Sequence, residues 1–165
     1  MTLQPRRPQG TNQVQNPMLT QWIIWGALLC THLVYAIVAK AHSVENPDGN
    51  WRENVLLQPL AFAALISLVL SHVLSRRVFM TVMRANPDFD EKSLAVRTIS
   101  SNIIAWALSE SVVIYGLVLA MSTKDFTPFL MFMAPAFLNM LILRPNMQKY
   151  KDMAQALAPK ERRFE

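Results

Sequence analysis

Apolar residues along this chain are gathered into four long blocks, with polar segments between them. The blocks cover residues 22–39, 55–74, 99–121 and 126–143. Each is close to the ~20 residues that an α-helix needs to cross the hydrocarbon core of a bilayer. Helices that are apolar all round suit a membrane, where one side faces lipid and the other faces neighbouring helices. The pattern predicts an all-α membrane protein with four transmembrane helices.

The segments that flank the blocks have a different composition. Residues 1–21 are rich in Gln, Asn, Pro and Thr and poor in apolar residues, which predicts a disordered N-terminal tail. Residues 144–165 place apolar positions on one face of a basic helix, which predicts an amphipathic tail on the cytoplasmic surface of the membrane. The transmembrane domain is therefore expected to cover residues 22–143.

Basic residues are distributed unevenly between the two sides of the predicted bundle. Of the 16 Lys and Arg, two precede the first block, five lie between the second and third, and six follow the fourth. The other two loops carry only two and one. The positive-inside rule then predicts cytoplasmic N and C termini in a multi-pass protein of the inner cell membrane. The net charge of +5 reflects this topology and contact with anionic lipid headgroups, so nucleic acid is not expected as a partner.

The first block has a second interpretation as a cleavable signal peptide. Residues 39–41 (AKA) follow the apolar run in the form of a cleavage site. The run of 18 residues exceeds the ~7–15 that are usual for a signal peptide, and a long polar leader precedes it, which favours a transmembrane helix. Cys30, the only cysteine, lies within this block and excludes a disulfide or a Cys-based zinc site inside one chain.

Of the eleven Asp and Glu, only Glu110 lies inside an apolar block. A rise of ~1.5 Å per residue puts it about 16 Å into the third block, near the bilayer midplane. His32 in the first block has the same depth, so the two side chains are expected to be able to meet. The alternative is a neutral His32 bonded to a backbone carbonyl or to Thr31. Ser67, in the middle of the second block, is a further candidate oxygen donor for an ion.

The second block carries small residues at every fourth position, a spacing that lets another helix approach closely in lipid. This predicted packing face consists of Ala63, Ser67, Ser71 and Ser75. His72 differs in depth from His32 by roughly 10 Å, which makes the two a poor axial pair for haem. We expect no cofactor and no metal site beyond a bound proton or monovalent cation.

Residues 107–121 (ALSESVVIYGLVLAM) contain a Glu-Ser pair followed by Ile-Tyr-Gly-Leu-Val. This stretch resembles the second helix of the proteolipid subunit c of rotary ATP synthases, in its sodium-type members. The resemblance implies that Glu110 binds an ion or proton, that Ser111 is a neighbouring oxygen donor, and that the Tyr115 hydroxyl steadies the carboxylate. It also implies an oligomer within a membrane complex.

The rest of the chain departs from that family. The glycine ladder of the family's first helix is replaced by the Ala and Ser positions of the second block, Val112 stands where sodium-type members carry Thr, and two spans are additional.

Two functions therefore remain open from the sequence. The leading one is a proteolipid-like membrane protein that binds a proton or cation at Glu110 and forms part of an oligomeric membrane complex. The alternative is a structural or assembly protein in which the buried Glu110 only fixes helix packing. An enzyme is not expected, because no nucleophile with a base, metal constellation or phosphate loop is present in the sequence.

Overall fold

The computed structural model describes residues 16–44, 50–85, 91–146, 148 and 151–152. These ranges form four helices and one short 3-10 turn, Trp51–Glu53, and contain no strand. The helices are α1 (Pro17–His42), α2 (Leu57–Ala85), α3 (Glu91–Thr123) and α4 (Thr127–Ile142). The predicted all-α fold with four apolar helices is confirmed.

Three of the helices contain segments long and apolar enough to cross a membrane: Pro17–His42, Leu57–Arg77 and Thr98–Thr123. The fourth, α4, has 16 residues and is shorter than the predicted span 126–143. At ~1.5 Å per residue it is roughly 24 Å long, somewhat less than a hydrocarbon core of ~30 Å. The architecture is compatible with a membrane protein, and the side on which the termini lie stays a prediction.

The first helix begins earlier than its apolar block. Asn16 accepts a hydrogen bond from the Met18 N–H at 3.1 Å, and Pro17 occupies the first helical position, where its missing N–H costs nothing. Residues 17–21, assigned to the tail from the sequence, are thus helical, and Gln21 is buried. The remainder of that tail, residues 1–15, and most of the predicted tail 144–165 lie outside the described residues.

The third helix is the one on which the other three pack. Half of its membrane-crossing segment is buried, compared with 11% for that of α1 and 17% for that of α2. The outward sides of α1 and α2 are lined with exposed large apolar side chains, as expected where lipid or another apolar surface covers a helix. The α3 helix is therefore the element that positions any buried site.

One apolar cluster fills the end of the bundle that carries the turn between α3 and α4, which we call the turn end. At this turn Lys124 adopts a φ of 55°. The turn-end cluster comprises Ala39, Ala64, Val112, Val113, Leu119, Ala120, Phe129, Phe132 and Ala136.

Within the turn-end cluster, Gly116 allows α3 and α4 to approach closely. A Cβ atom there would lie 2.6 Å from the Phe132 Cβ and 3.3 Å from the Phe129 carbonyl oxygen. Such contacts are too short for any side chain, so this contact between α3 and α4 requires glycine.

A second apolar cluster occupies the opposite end, where α1 begins and α4 ends, which we call the tail end. Its buried members are Ala105, Trp106, Met140 and Leu143. The indole N–H of Trp106 donates to the Leu143 carbonyl at 2.9 Å, and that of Trp25 donates to the Met140 carbonyl at 2.9 Å. Two tryptophans therefore satisfy backbone oxygens at the C-terminal end of α4 that the helix itself leaves open.

Candidate functional site

The Glu110 carboxyl group lies in α3 between the two apolar clusters. Glu110 is twelve residues from Thr98 and thirteen from Thr123, the limits of the membrane-crossing segment of α3. It is therefore roughly 18 Å from one end and 20 Å from the other, at the middle of the segment. Only 8% of the residue is exposed. The depth of this acid in a bilayer stays a prediction.

The first helix covers Glu110 with two consecutive polar side chains. The Thr31 hydroxyl forms a hydrogen bond with Glu110 Oε1. The His32 Nδ1 atom lies 3.1 Å from Glu110 Oε2, and His32 is 2% exposed. The structure thus brings together His32 and Glu110, the two ionisable residues that the depth count placed at one level.

The position of the Leu28 carbonyl assigns the proton on the His32 ring. This carbonyl oxygen lies 2.9 Å from Nδ1, and because a carbonyl only accepts, Nδ1 must carry the hydrogen. The N–H is directed to Leu28, so the nearby Glu110 Oε2 and the His32 Nε2 have no hydrogen-bond partner among the described residues. A neutral His32 ring is therefore the tautomer with its hydrogen on Nδ1 and an unprotonated Nε2.

The Thr31 hydroxyl has one proton and two oxygen neighbours. It lies 2.6 Å from the Leu28 carbonyl oxygen and in hydrogen-bond contact with Glu110 Oε1. If Glu110 is ionised, the hydroxyl can donate to Oε1; if Glu110 is protonated, the hydroxyl can accept from it and donate to Leu28. Either charge state of the carboxyl group therefore finds a hydrogen-bond arrangement without movement of the helices.

A second polar group ties three helices together beside this pair. Asn139 in α4 donates through its Nδ2 atom to Ser109 of α3 at 2.5 Å and to Ser71 of α2 at 3.1 Å. All three side chains are buried, and Ser109 is the residue before Glu110. Asn139 thus links α2 and α4 to the part of α3 that carries the acid.

A third polar group closes the tail end. Gln21 of α1 donates to the Thr98 hydroxyl at 3.1 Å and accepts from the Asn102 amide at 2.7 Å. Ser101 lies beside them and donates to the Thr98 carbonyl at 2.9 Å. All four residues are buried, so α1 and α3 are joined by hydrogen bonds at this end as well as at Glu110.

The other sequence-predicted site residues lie apart from the carboxyl group. The Ser111 hydroxyl donates to the Leu108 carbonyl of its own helix at 2.7 Å. Tyr115 is half-buried against the turn-end cluster. In the described residues no hydrogen bond joins Glu110 to Ser111, Tyr115 or Ser67. The structure therefore shows no contact that supports the roles implied by the resemblance for Ser111 and Tyr115, or the ion-site role of Ser67.

The predicted packing face of α2 is only partly the face that is buried. Ser67 and Ser71 are buried, whereas Ala63 and Ser75 are half-buried and Ala64 is buried in their place. A strict spacing of four residues drifts around a helix that repeats every 3.6, so the buried line changes from one residue to its neighbour.

Three contributing residues were missed as site residues: Thr31, Asn139 and Ser109. Thr31 is adjacent to His32, and this position was the available signal. Asn139 was the one amide inside the fourth block. Which helices these side chains reach depends on tertiary packing, which spacing does not supply.

Metal binding finds no support in the part of the chain that the structure describes, where no group of three or more His, Cys, Asp or Glu could hold a metal ion. The groups nearest the Glu110 oxygens are the Thr31 hydroxyl, which can donate or accept, and the His32 N–H, which is directed to Leu28 and lies beside Oε2. This arrangement can stabilise a carboxylate anion or share a proton with it.

Comparison with known proteins gives no further guide: no protein-family profile, curated protein or solved structure matches this chain.

Proposed function

We propose that this chain is a small membrane protein that binds and releases a proton at Glu110, with His32 and Thr31 as the partners of the carboxyl group. The observation that carries the proposal is the 3.1 Å contact between His32 Nδ1 and Glu110 Oε2, buried between two apolar clusters. Ionisable residues at such depth in a membrane are costly and usually take part in ion or proton handling.

The donors around the acid favour a proton over a monovalent cation. Cation sites in membranes are formed by rings of oxygen atoms that replace the hydration shell of the ion. Here one carboxyl oxygen faces the Thr31 hydroxyl and the other lies beside the His32 N–H. A cation bound here would be repelled by the partial positive charge on the hydrogen of the His32 N–H. A proton needs only one carboxyl oxygen.

The pair supports two states that differ by one proton. In the neutral state Glu110 is protonated and donates to Thr31, and His32 carries its single proton on Nδ1. In the anionic state the Thr31 hydroxyl turns to donate to Glu110, and the adjacent imidazole N–H supplies a second favourable dipole. Binding of the proton thus changes the charge at the middle of the bundle while the hydrogen bonds are exchanged locally.

Infrared spectroscopy of the purified protein in nanodiscs tests this proposal. We expect the carbonyl band of a protonated carboxyl group shielded from water to appear as the pH is lowered, and to be absent in Glu110→Gln. The matched control is Glu53→Gln, the same change at an exposed carboxyl group in the 3-10 turn, which should retain the band. A band that persists in Glu110→Gln, or that does not change with pH while the protein stays folded, would overturn the proposal.

A structural role is the second candidate, and it is favoured by the same contacts that hold the helices together. Thr31 and Glu110 join α1 to α3, and Asn139 joins α4 to α2 and α3. A Gln at position 110 keeps an oxygen that can accept from Thr31 but binds no proton. If Glu110→Gln loses the infrared band but keeps its stability and assembly, proton binding is supported. If Glu110→Gln loses stability and the parent protein shows no pH-dependent band, the structural role is supported.

The proposal also includes an oligomer or larger membrane complex, with cytoplasmic termini and no enzymatic step. Its support is the outward side of α1 and α2, where Ile37 is 70% and Phe62 is 66% exposed. Lipid chains or a neighbouring apolar subunit would cover such faces. The mass of the protein particle in nanodiscs checks this part, because one chain per particle would contradict an oligomer and leave proton binding unaffected.

A further inference from the structure

We infer that water and protons reach Glu110 from the tail end of the bundle and not from the turn end; this inference rests on the proton binding proposed above. It concerns the route to the site, which the contacts of the carboxyl group alone do not define. Three observations on the described residues carry it: the distribution of buried polar side chains, the composition of the turn-end cluster, and the groups that lie between Glu110 and Asn102.

Buried polar side chains lie in one half of the bundle, with Ser67 as the exception. In the described ranges they are Gln21, His32, Ser67, Ser71, Thr98, Ser101, Asn102, Ser109, Glu110 and Asn139. On α1, α3 and α4 each of them lies level with Glu110 or nearer the tail end. On α2, which runs the opposite way, Ser67 extends toward the turn end by one helical turn beyond Ser71, roughly 6 Å.

The route toward the turn end is closed by apolar side chains. Val112, Val113, Leu119 and Phe129 are each 0% exposed, and they fill the ~20 Å of α3 and its neighbours between Glu110 and the turn. Tyr35, Tyr115 and other half-buried residues pack against this cluster from outside it. Close-packed apolar side chains leave no room for water and offer it no hydrogen bonds.

The route toward the tail end crosses a thinner apolar layer with buried polar groups on both sides of it. Ser109 lies beside Glu110, and Asn102 lies eight residues away along α3, roughly 12 Å. Between them lies the tail-end cluster, which has four buried apolar residues where the turn-end cluster has nine. The indole N–H groups of Trp25 and Trp106 donate to α4 carbonyls within this layer. Asn102 then joins Gln21 and Thr98 at the end of the membrane-crossing segment. Buried water is found where several polar partners can hold it, and Ser109 and Asn102 supply such groups on the two sides of this layer.

Other titratable side chains among the described residues of α1, α2 and α4 do not offer protons a second path to Glu110. Residues 127–142 of α4 contain no titratable group, His72 of α2 is exposed, and Cys30 of α1 is exposed. Protons that reach Glu110 along the bundle must therefore pass either the thinner tail-end cluster, with its neighbouring hydrogen-bonding groups, or the turn-end cluster.

Reaction of introduced cysteines with a small water-soluble methanethiosulfonate tests the inference. Ser101→Cys and Ala120→Cys, each in a Cys30→Ala background, form a matched pair on α3. The two positions are three residues from Thr98 and from Thr123, and they are 2% and 1% exposed. Because the reagent needs a hydrated thiolate, we expect Ser101→Cys to react at least ~10-fold faster than Ala120→Cys.

A second variant controls for the hydrogen bond that Ser101→Cys removes. Ala105→Cys lies seven residues inside the tail end, deeper than Ala120→Cys lies inside the turn end, so faster reaction at position 105 would support the inference more strongly. Equal rates, or faster reaction at position 120, would overturn it. The infrared band of Glu110 is measured on the same preparations: if the band is absent but position 101 still reacts faster, proton binding fails and one-sided hydration stands.

Discussion

On the turn-end side of Glu110 the helices meet through apolar side chains such as Val112, Phe129 and Phe132, whereas on the tail-end side hydrogen bonds join them as well. The first half depends on shape, because apolar contacts are non-directional and gain only from close packing. The second half depends on donors and acceptors that must be paired when water is excluded. Glu110 therefore lies at a boundary between a half packed by apolar side chains, which we call the dry half, and a half that adds buried hydrogen bonds to its apolar cluster, which we call the polar half.

Loss of a large side chain from the dry half should have the largest effect. Phe129→Ala removes a ring that is 0% exposed and should lower the free energy of unfolding by about 3 kcal/mol, since it leaves a cavity. The matched control is Phe62→Ala, where the same ring is 66% exposed on α2 and the loss should be much smaller. Unfolding by denaturant in detergent micelles provides the measurement. Equal losses at the two positions would contradict a packed turn-end cluster.

An added methyl group at the close contact of α3 and α4 should have the next largest effect. Gly116→Ala puts a Cβ atom 2.6 Å from that of Phe132, so the helices must separate, and we expect a loss of about 2 kcal/mol from overpacking. Gly26→Ala is the control, because nothing lies within 4 Å of its added Cβ, and it should be neutral or slightly stabilising. The same unfolding experiment compares them. A tolerated Ala at position 116 would show that the dry half is looser than described.

Removal of a polar link should have a smaller effect on stability. Asn139→Leu keeps the volume but loses the hydrogen bonds to Ser71 and Ser109. Because hydrogen bonds between helices in membranes are worth about 0.6 kcal/mol on average, we expect a loss of about 1 kcal/mol. A double-mutant cycle with Ser109→Ala measures the coupling directly. A coupling of zero would mean that the polar half is held by its apolar contacts alone.

The fold and the site differ in how far the sequence alone could predict them. Blocks of about 20 apolar residues define membrane-crossing helices almost by themselves, which is why α1, α2 and α3 were found. The apolar block begins five residues after the start of α1, because the cap formed by Asn16 and Pro17 is a local signal that hydropathy does not register.

At the site, the rise per residue was enough to predict that His32 lies near Glu110, since α1 and α3 were predicted to run in the same direction. Spacing along α3 could not do the same for Ser111 and Tyr115. One lies one residue and the other five residues from Glu110, so neither shares its face of the helix. The contact of Thr31 with Glu110 depends on which side of α1 faces α3, and only the packed structure shows this.

Carbon NMR of the Glu110 carboxyl group across pH, in the protein reconstituted into nanodiscs, tests the central claim most directly. The account predicts that this carbon changes its chemical shift in one step while the helices stay folded. It also predicts that the His32 Nδ1 atom responds over the same pH range, because it lies 3.1 Å from Glu110 Oε2. A Glu110 signal that stays constant over the whole pH range of the folded protein would contradict the claim that this acid binds and releases a proton.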